Sequence, residues 1–301
     1  AAAGDLNNDG VGDLLVGGLL SDGQSGFGGS PLGQVWAFSG SSGSLLWTTL
    51  GSSAHSRMGS GLSSFIDFNQ DGFQDVLVGA QNGIVATMPG TNLLGRVDVL
   101  SGQNGAPLLT LYGSPTLAGF GAEVRPLGDM TGDGVADFAV RSGILSLHSG
   151  ADGSVFRTHA PLVQIVYMFE EYRLVAAPGD VNGDGVPDVA FGIPNLPSPL
   201  GAVAVHSGAT GALLTTLAAP ATVPSIYRFP TTVLACGDLD ADGVPDLIAG
   251  GLHLSGNRFY AIYSGATGAV IRINTANLRP LDIADVNGDG LADIVCARHG
   301  A

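Results

Sequence analysis

Nineteen of the 26 acidic residues lie in six nine-residue segments of one pattern, D-x-[NDT]-x-D-G-x-x-D. The copies run 5–13, 67–75, 129–137, 180–188, 238–246 and 285–293. Side-chain oxygens at positions 1, 3, 5 and 9 of such a loop can converge on one cation, with the carbonyl at position 7 as a further donor. The glycine at position 6 permits the sharp turn this needs. In the first copy these groups are Asp5, Asn7, Asp9, Asp13 and the carbonyl of Val11. In the second they are Asp67, Asn69, Asp71, Asp75 and Phe73. The third offers Asp129, Thr131, Asp133, Asp137 and Val135, and the fourth Asp180, Asn182, Asp184, Asp188 and Val186. The fifth has four carboxylates, Asp238, Asp240, Asp242 and Asp246, with Val244. The sixth has Asp285, Asn287, Asp289, Asp293 and Leu291.

Hard oxygen donors with no histidine or cysteine among them select Ca²⁺ over zinc or copper, and the number of protein oxygens disfavours Mg²⁺. The expectation is up to six Ca²⁺ ions. A turn-forming Asp-Asn-Gly run explains one copy as well as a metal site does, but not six copies that keep all four ligand positions. Thr131 makes the third loop the weakest match. The first half of the pattern follows the logic of an EF-hand loop. The second half departs from it, closing on Asp at position 9 before an apolar strand rather than on Glu at position 12 before a helix. A dockerin-type loop is excluded for the same reason. Charge agrees: the net charge is −15, and six divalent ions would cancel twelve of those charges.

The elements that must hold these loops repeat with them. Loop starts are separated by 62, 62, 51, 58 and 47 residues. Each loop runs into a short apolar strand: LLVGG, VLVGA, FAVRS, VAFGI, LIAGG and IVCAR. In five copies a further strand ends in an S-G-x-x-G turn, starting at Ser39, Ser101, Ser149, Ser207 and Ser264, and one more strand follows. One unit therefore reads strand A, acidic loop, strand B, connection, strand C, SGxxG turn, strand D. Four antiparallel strands about every 55 residues predict an all-β fold, a β-propeller of four-stranded blades. A β-solenoid is the alternative, but its coils are shorter, at roughly 20–30 residues. Five blades are complete and the sixth carries strands A and B. The expectation is one propeller domain over residues 1–301, cut at both ends. The intact ring would have six or seven blades, with an open edge on Ile294 to Cys296.

Composition narrows the function. The chain has 11 arginines and no lysine, and its acidity opposes nucleic-acid binding. No apolar run approaches the length of a membrane span. Cys236 and Cys296 each sit in an apolar run and read as small buried hydrophobes, with a disulfide between neighbouring blades as the alternative. His148 and His206 precede SG at a position that other units fill with Phe38, Leu100 and Tyr263, which reads as packing. No G-x-S-x-G nucleophile motif occurs, and Glu170, Glu171 and Arg173 form the one cluster of non-repeated acids and arginine. The chain is read as no enzyme.

Phe120-Gly121 ahead of a strand A, the calcium loop, and VGA or a variant after strand B together resemble the FG-GAP repeat of the integrin α-subunit propeller and its bacterial relatives. The flanks are degenerate, with Met58-Gly59 and Phe229-Pro230 where the second and fifth units would carry FG. The resemblance implies an extracellular, calcium-loaded module acting in adhesion or ligand binding. A protein or glycan partner is expected on the face opposite the calcium loops. Segments 18–33, 80–95 and 160–172, with Tyr167, Met168, Phe169 and Tyr172 as anchors, are the candidates. A structural spacer is the alternative, and a polysaccharide-cleaving enzyme built on a propeller is the further one.

Overall fold

The computed structural model describes residues 1–19, 32–51, 57–81, 95–114, 119–159, 173–193, 201–284, 286 and 293–298. Contacts divide the chain into two compact units, one of residues 1–126 and 133–161, the other of residues 127–132 and 162–301. The first unit holds three four-stranded sheets. They are β1 (Ala2–Ala3), β2 (Asp13–Gly18), β3 (Gln34–Phe38), β4 (Leu45–Leu50); β5 (Met58–Ser64), β6 (Val76–Ala80), β7 (Arg96–Leu100), β8 (Pro107–Tyr112); and β9 (Glu123–Pro126), β10 (Phe138–Arg141), β11 (Leu145–His148), β12 (Val155–His159). The second unit holds two more, β13 (Val175–Gly179), β14 (Asp188–Ile193), β15 (Ala202–His206), β16 (Leu213–Ala218) and β17 (Ile226–Gly237), β18 (Asp246–His253), β19 (Arg258–Tyr263), β20 (Val270–Asn274). A two-stranded sheet, β21 (Leu278–Ala284) with β22 (Asp293–Arg298), completes it.

Every sheet is antiparallel and keeps sequence order, so each is a β-meander. Among the described residues these are the blades of a β-propeller, five of four strands and one of two, as the repeat predicts. In the second blade strand B is covered on both faces, all five residues of β6 being buried, whereas in the first blade Leu14 and Val16 of β2 are exposed. The outer strands are the most exposed, with Leu45, Tyr112, Val155 and Leu213 open to solvent.

Within each unit, apolar layers form between successive sheets. Leu15, Val35 and Ala37 of the first sheet meet Val76, Val78 and Leu100 of the second. Val97 and Val99 meet Val124, Phe138 and Val140. Phe138 lies edge-on to Phe65 and flat against His148, with ring centres 5.5 and 5.2 Å apart. Burying a side chain of that kind contributes about 1.5–3 kcal/mol. In the second unit, Val203, Val205 and Leu217 pack with Phe229, Leu247 and Phe259. Both cysteines are free thiols in the layer between the last two sheets. Burial pushes the Cys236 thiol up to about 12, which makes it an inert apolar filler.

The C–D turns are built alike. In the first, Ser39 N donates to Ser44 O and Gly43 N to Ser39 O, both at 2.8 Å. The register slips by one residue at the end of every strand C, at Phe38, Leu100, His148, His206 and Tyr263. A bulge of this kind needs a left-handed residue, supplied by the last glycine of each SGxxG, from Gly43 (φ 70) to Gly268 (φ 70).

Candidate metal centres

The fully described loops fold on their own backbone. In the first, Asp5 accepts the N–H of Asp9 at 3.0 Å through one oxygen and that of Gly10 at 2.7 Å through the other. Asp67 does the same with Asp71 and Gly72, Asp180 with Asp184 and Gly185, and Asp238 with Asp242 and Gly243. The position-5 carboxylate accepts the N–H of position 7: Asp9 from Val11, Asp71 from Phe73, Asp184 from Val186 and Asp242 from Val244, each at 2.9 Å. These bonds fix where each carboxylate points. Each oxygen has more than one acceptor site, so capacity for a cation remains.

Position 3 separates the loops. Asn7, Asn69 and Asn182 each donate their amide to the position-5 carboxylate, at 3.0, 2.9 and 2.9 Å. Asp240 has no such donor. Oxygens of Asp238, Asp240 and Asp246 lie within 4.8 Å of one another. Desolvation pushes the Asp240 carboxyl up, with Asp246, Asp242 and Asp238 adding repulsion. Asp184, by contrast, is held low, first by the Val186 N–H and then by the Asn182 amide.

Position 9 does more than the sequence indicates. Asp75, Asp137, Asp188 and Asp246 are completely buried and Asp13 nearly so. One oxygen accepts the N–H of loop position 2: Leu6, Phe68, Val181 and Leu239 donate to Asp13, Asp75, Asp188 and Asp246 at 2.7–2.8 Å. The other accepts the N–H of the first SGxxG glycine: Gly40, Gly102, Gly150, Gly208 and Gly265 donate at 2.9–3.0 Å to Asp13, Asp75, Asp137, Asp188 and Asp246. Asp13, Asp75, Asp188 and Asp246 thus each clamp the A–B loop to the C–D turn of their own blade, at one end of that blade. Burial pushes the Asp75 and Asp188 carboxyls up, against the pull of these N–H groups. The glycine is required at the clamp: a Cβ on Gly102 would sit 1.7 Å from the Gln74 carbonyl oxygen, and one on Gly208 1.8 Å from that of Pro187.

In the third loop, Asp129 accepts from Gly132 N and Thr131 Oγ1, and Asp133 from Val135 N. Asp129 to Gly132 belong to one unit and Asp133 to Asp137 to the other. Of the sixth loop, Asp293 accepts from Val286 N at 3.1 Å; Asp285, Asn287, Asp289 and Leu291 lie outside the described residues.

A cation also fits the surroundings of the second loop. Ser101 is buried, yet its hydroxyl has no hydrogen-bond partner. The equivalent hydroxyls of Ser39, Ser207 and Ser264 point at the position-5 carboxylates of their loops. Donor set, loop frame and this orphaned hydroxyl suit a hard divalent ion at the loops.

Other candidates resolve differently. Tyr167, Met168, Phe169, Glu170, Glu171 and Tyr172 lie outside the described residues, and Arg173 donates to the carbonyl of Leu281 at 2.8 Å. His148 is buried, stacks on Phe138 and pairs through Nδ1 with the Gly153 carbonyl, which makes it part of the turn. Burial holds its pKa low. A further acid–arginine group was not legible in the sequence: Glu123, nearly buried, lies 3.0 Å from Arg141 and 3.8 Å from Arg125. Strand pairing brings Arg141 beside it from 18 residues away.

The family profile described as FG-GAP repeat matches residues 58–100, the second blade from strand A to strand C. Among solved structures, the chain is similar to rhamnogalacturonan lyase YesW (14% identity, TM-score 0.53) and to a rhamnogalacturonan lyase of Bacillus licheniformis (14% identity, TM-score 0.54). Each match covers 98% of this chain and 54% of the other, so the chain spans about half the length of these enzymes. At that identity the likeness is one of fold. Residues 58–100 match the FG-GAP repeat, and the fold is a β-propeller.

Proposed function

We propose that this chain is a calcium-stabilised propeller module that binds a protein or glycan partner outside the cell and carries no catalytic centre. The observation behind the reading is the common frame of the loops. Four of them place a position-1 carboxylate, a position-3 oxygen, a position-5 carboxylate and a buried position-9 carboxylate in the same hydrogen-bonded arrangement. Ligand loops of extracellular calcium modules bind at roughly 10⁻⁴–10⁻³ M, which suits millimolar calcium outside cells and not the cytosol. At the tight end of that range each site adds about 1.5 kcal/mol in millimolar calcium, and six add about 9 kcal/mol, as much as an ordinary domain's whole stability. Thermal melts in calcium and in excess EGTA test this. A large fall in Tm on chelation is expected; superimposed curves would refute the calcium reading. A glycan array and a pull-down with the calcium-loaded protein then separate a binding module from a spacer, which would capture nothing.

A second reading, a polysaccharide-cleaving module, draws on the fold likeness to two rhamnogalacturonan lyases and on Glu123 between two arginines. Shortening of rhamnogalacturonan chains by the calcium-loaded protein would decide in its favour.

A further inference from the structure

We infer that the serine opening the SGxxG turn in the first, second, fourth and fifth blades is a positioning residue for its calcium loop, so that the C–D turn forms part of the ion site. This rests on the calcium reading above. In three blades the hydroxyl already faces the position-5 carboxylate: Ser39 Oγ is 3.5 Å from Asp9 Oδ2, Ser207 Oγ 3.3 Å from Asp184 Oδ2 and Ser264 Oγ 3.4 Å from Asp242 Oδ2. These are long bonds, at the limit of useful geometry. The second blade supplies an independent observation. Ser101 has the same backbone setting, with its N–H on Ala106 O and its carbonyl taking Gly105 N, and its neighbour Gly102 is clamped to Asp75. Its hydroxyl, however, is buried with no partner at all.

A buried hydroxyl without a partner is costly and calls for an explanation, of which a bound ion and its shell is one. The group within reach along the repeat is the position-5 carboxylate, here Asp71. An ion drawing Asp71 inward brings an oxygen to Ser101 and shortens the equivalent contacts in the sister blades. The clamp by Asp75 holds the turn at the right distance. Ser101 thus acts through Asp71 rather than by binding the ion itself, as outer-shell donors do in other metal sites.

The test is Ser101→Ala in the full chain, melted in calcium and in EGTA. In EGTA the variant should melt at or slightly above the wild type, because an unpartnered buried hydroxyl has been removed. In calcium its gain in Tm should be smaller than the wild type's, corresponding to about a tenfold loss of affinity at that loop. An equal change in both conditions, or none, overturns the inference while leaving the calcium reading standing. Absence of any calcium-induced gain in the wild type overturns both. Ser264→Ala repeats the test at a loop where the contact is already made. Thr267→Ala controls for the turn: Thr267 Oγ1 caps the Ala269 N–H and touches no loop carboxylate. It should lower Tm equally with and without calcium.

Discussion

The fourth and fifth loops share one frame and one clamp but differ at three positions, the first of them only in Val181 against Leu239. Where the fourth has Asn182-Gly183, the fifth has Asp240-Ala241. Asn182 gives Asp184 an amide donor, and Asp184 titrates low. Asp240 accepts the Asp242 N–H at 3.3 Å as Asn182 does for Asp184, but it offers the Asp242 carboxylate no donor and sets a further negative charge beside it, and Asp240 itself titrates high. The next residue is left-handed in both loops, at φ 75 for Gly183 and φ 62 for Ala241. Glycine adopts that conformation freely, whereas an L-residue is strained by about 1–2 kcal/mol. The fourth loop is therefore largely satisfied by its own groups. The fifth concentrates charge that a cation would relieve, beside a backbone strain at Ala241 that it would not. On the calcium reading proposed above, the same repeat spans a loop that rests on its own hydrogen bonds and one that gains from an ion.

The largest effect tests what the two loops share. Asp246→Ala and Asp188→Ala each orphan two N–H groups, Leu239 with Gly265 and Val181 with Gly208. At about 1–3 kcal/mol per buried orphan, each variant should lose about 2–6 kcal/mol in urea melts. The loss should persist in EGTA, because the clamp does not need the ion. A loss confined to calcium buffers would make these residues ligands alone.

Asp240→Asn should erase the difference between the loops. The new amide can donate to Asp242 and a repulsion disappears, so stability in EGTA should rise by about 0.5–1.5 kcal/mol. Calcium should then stabilise the variant by less than it does the wild type. If both buffers show the same shift, position 3 does not set calcium dependence.

The smallest expected effect isolates strain from charge. Ala241→Gly relieves the left-handed alanine but loosens the unfolded chain, leaving a net gain of about 0.5–1 kcal/mol. That gain should be the same with and without calcium. A destabilised Ala241→Gly would show that the backbone there is already relaxed.

The sequence made the loops and turns legible because their signals are short-range. Asp5 to Asp13 and Ser39 to Gly43 are each one local hydrogen-bonded unit, and periodicity identified the strands between them. It did not disclose that Asp13 joins the two units. The partner of Asp13, Gly40, lies 27 residues away, and in the third blade Gly150 lies only 13 from Asp137. Co-occurrence of the acidic loop with SG in five blades was the available signal, and it reads equally well as two independent turns. Glu123 and Arg141 were hidden for the same reason, since strand register rather than spacing brings them together.

The variable distance between clamp partners also bears on how such a chain can change over generations. Between 13 and 27 residues separate aspartate from glycine, yet the bond is 2.9 Å in both extremes. The extra length lies in the connection between strands B and C, which leaves from the end of the blade away from the clamp. That connection is a free parameter of the architecture: its length and composition can drift without loosening the ends that hold it. The tight Arg141–Leu145 hairpin of the third blade is thus the natural place to graft a foreign loop, with its neighbours already showing that the scaffold accepts longer ones.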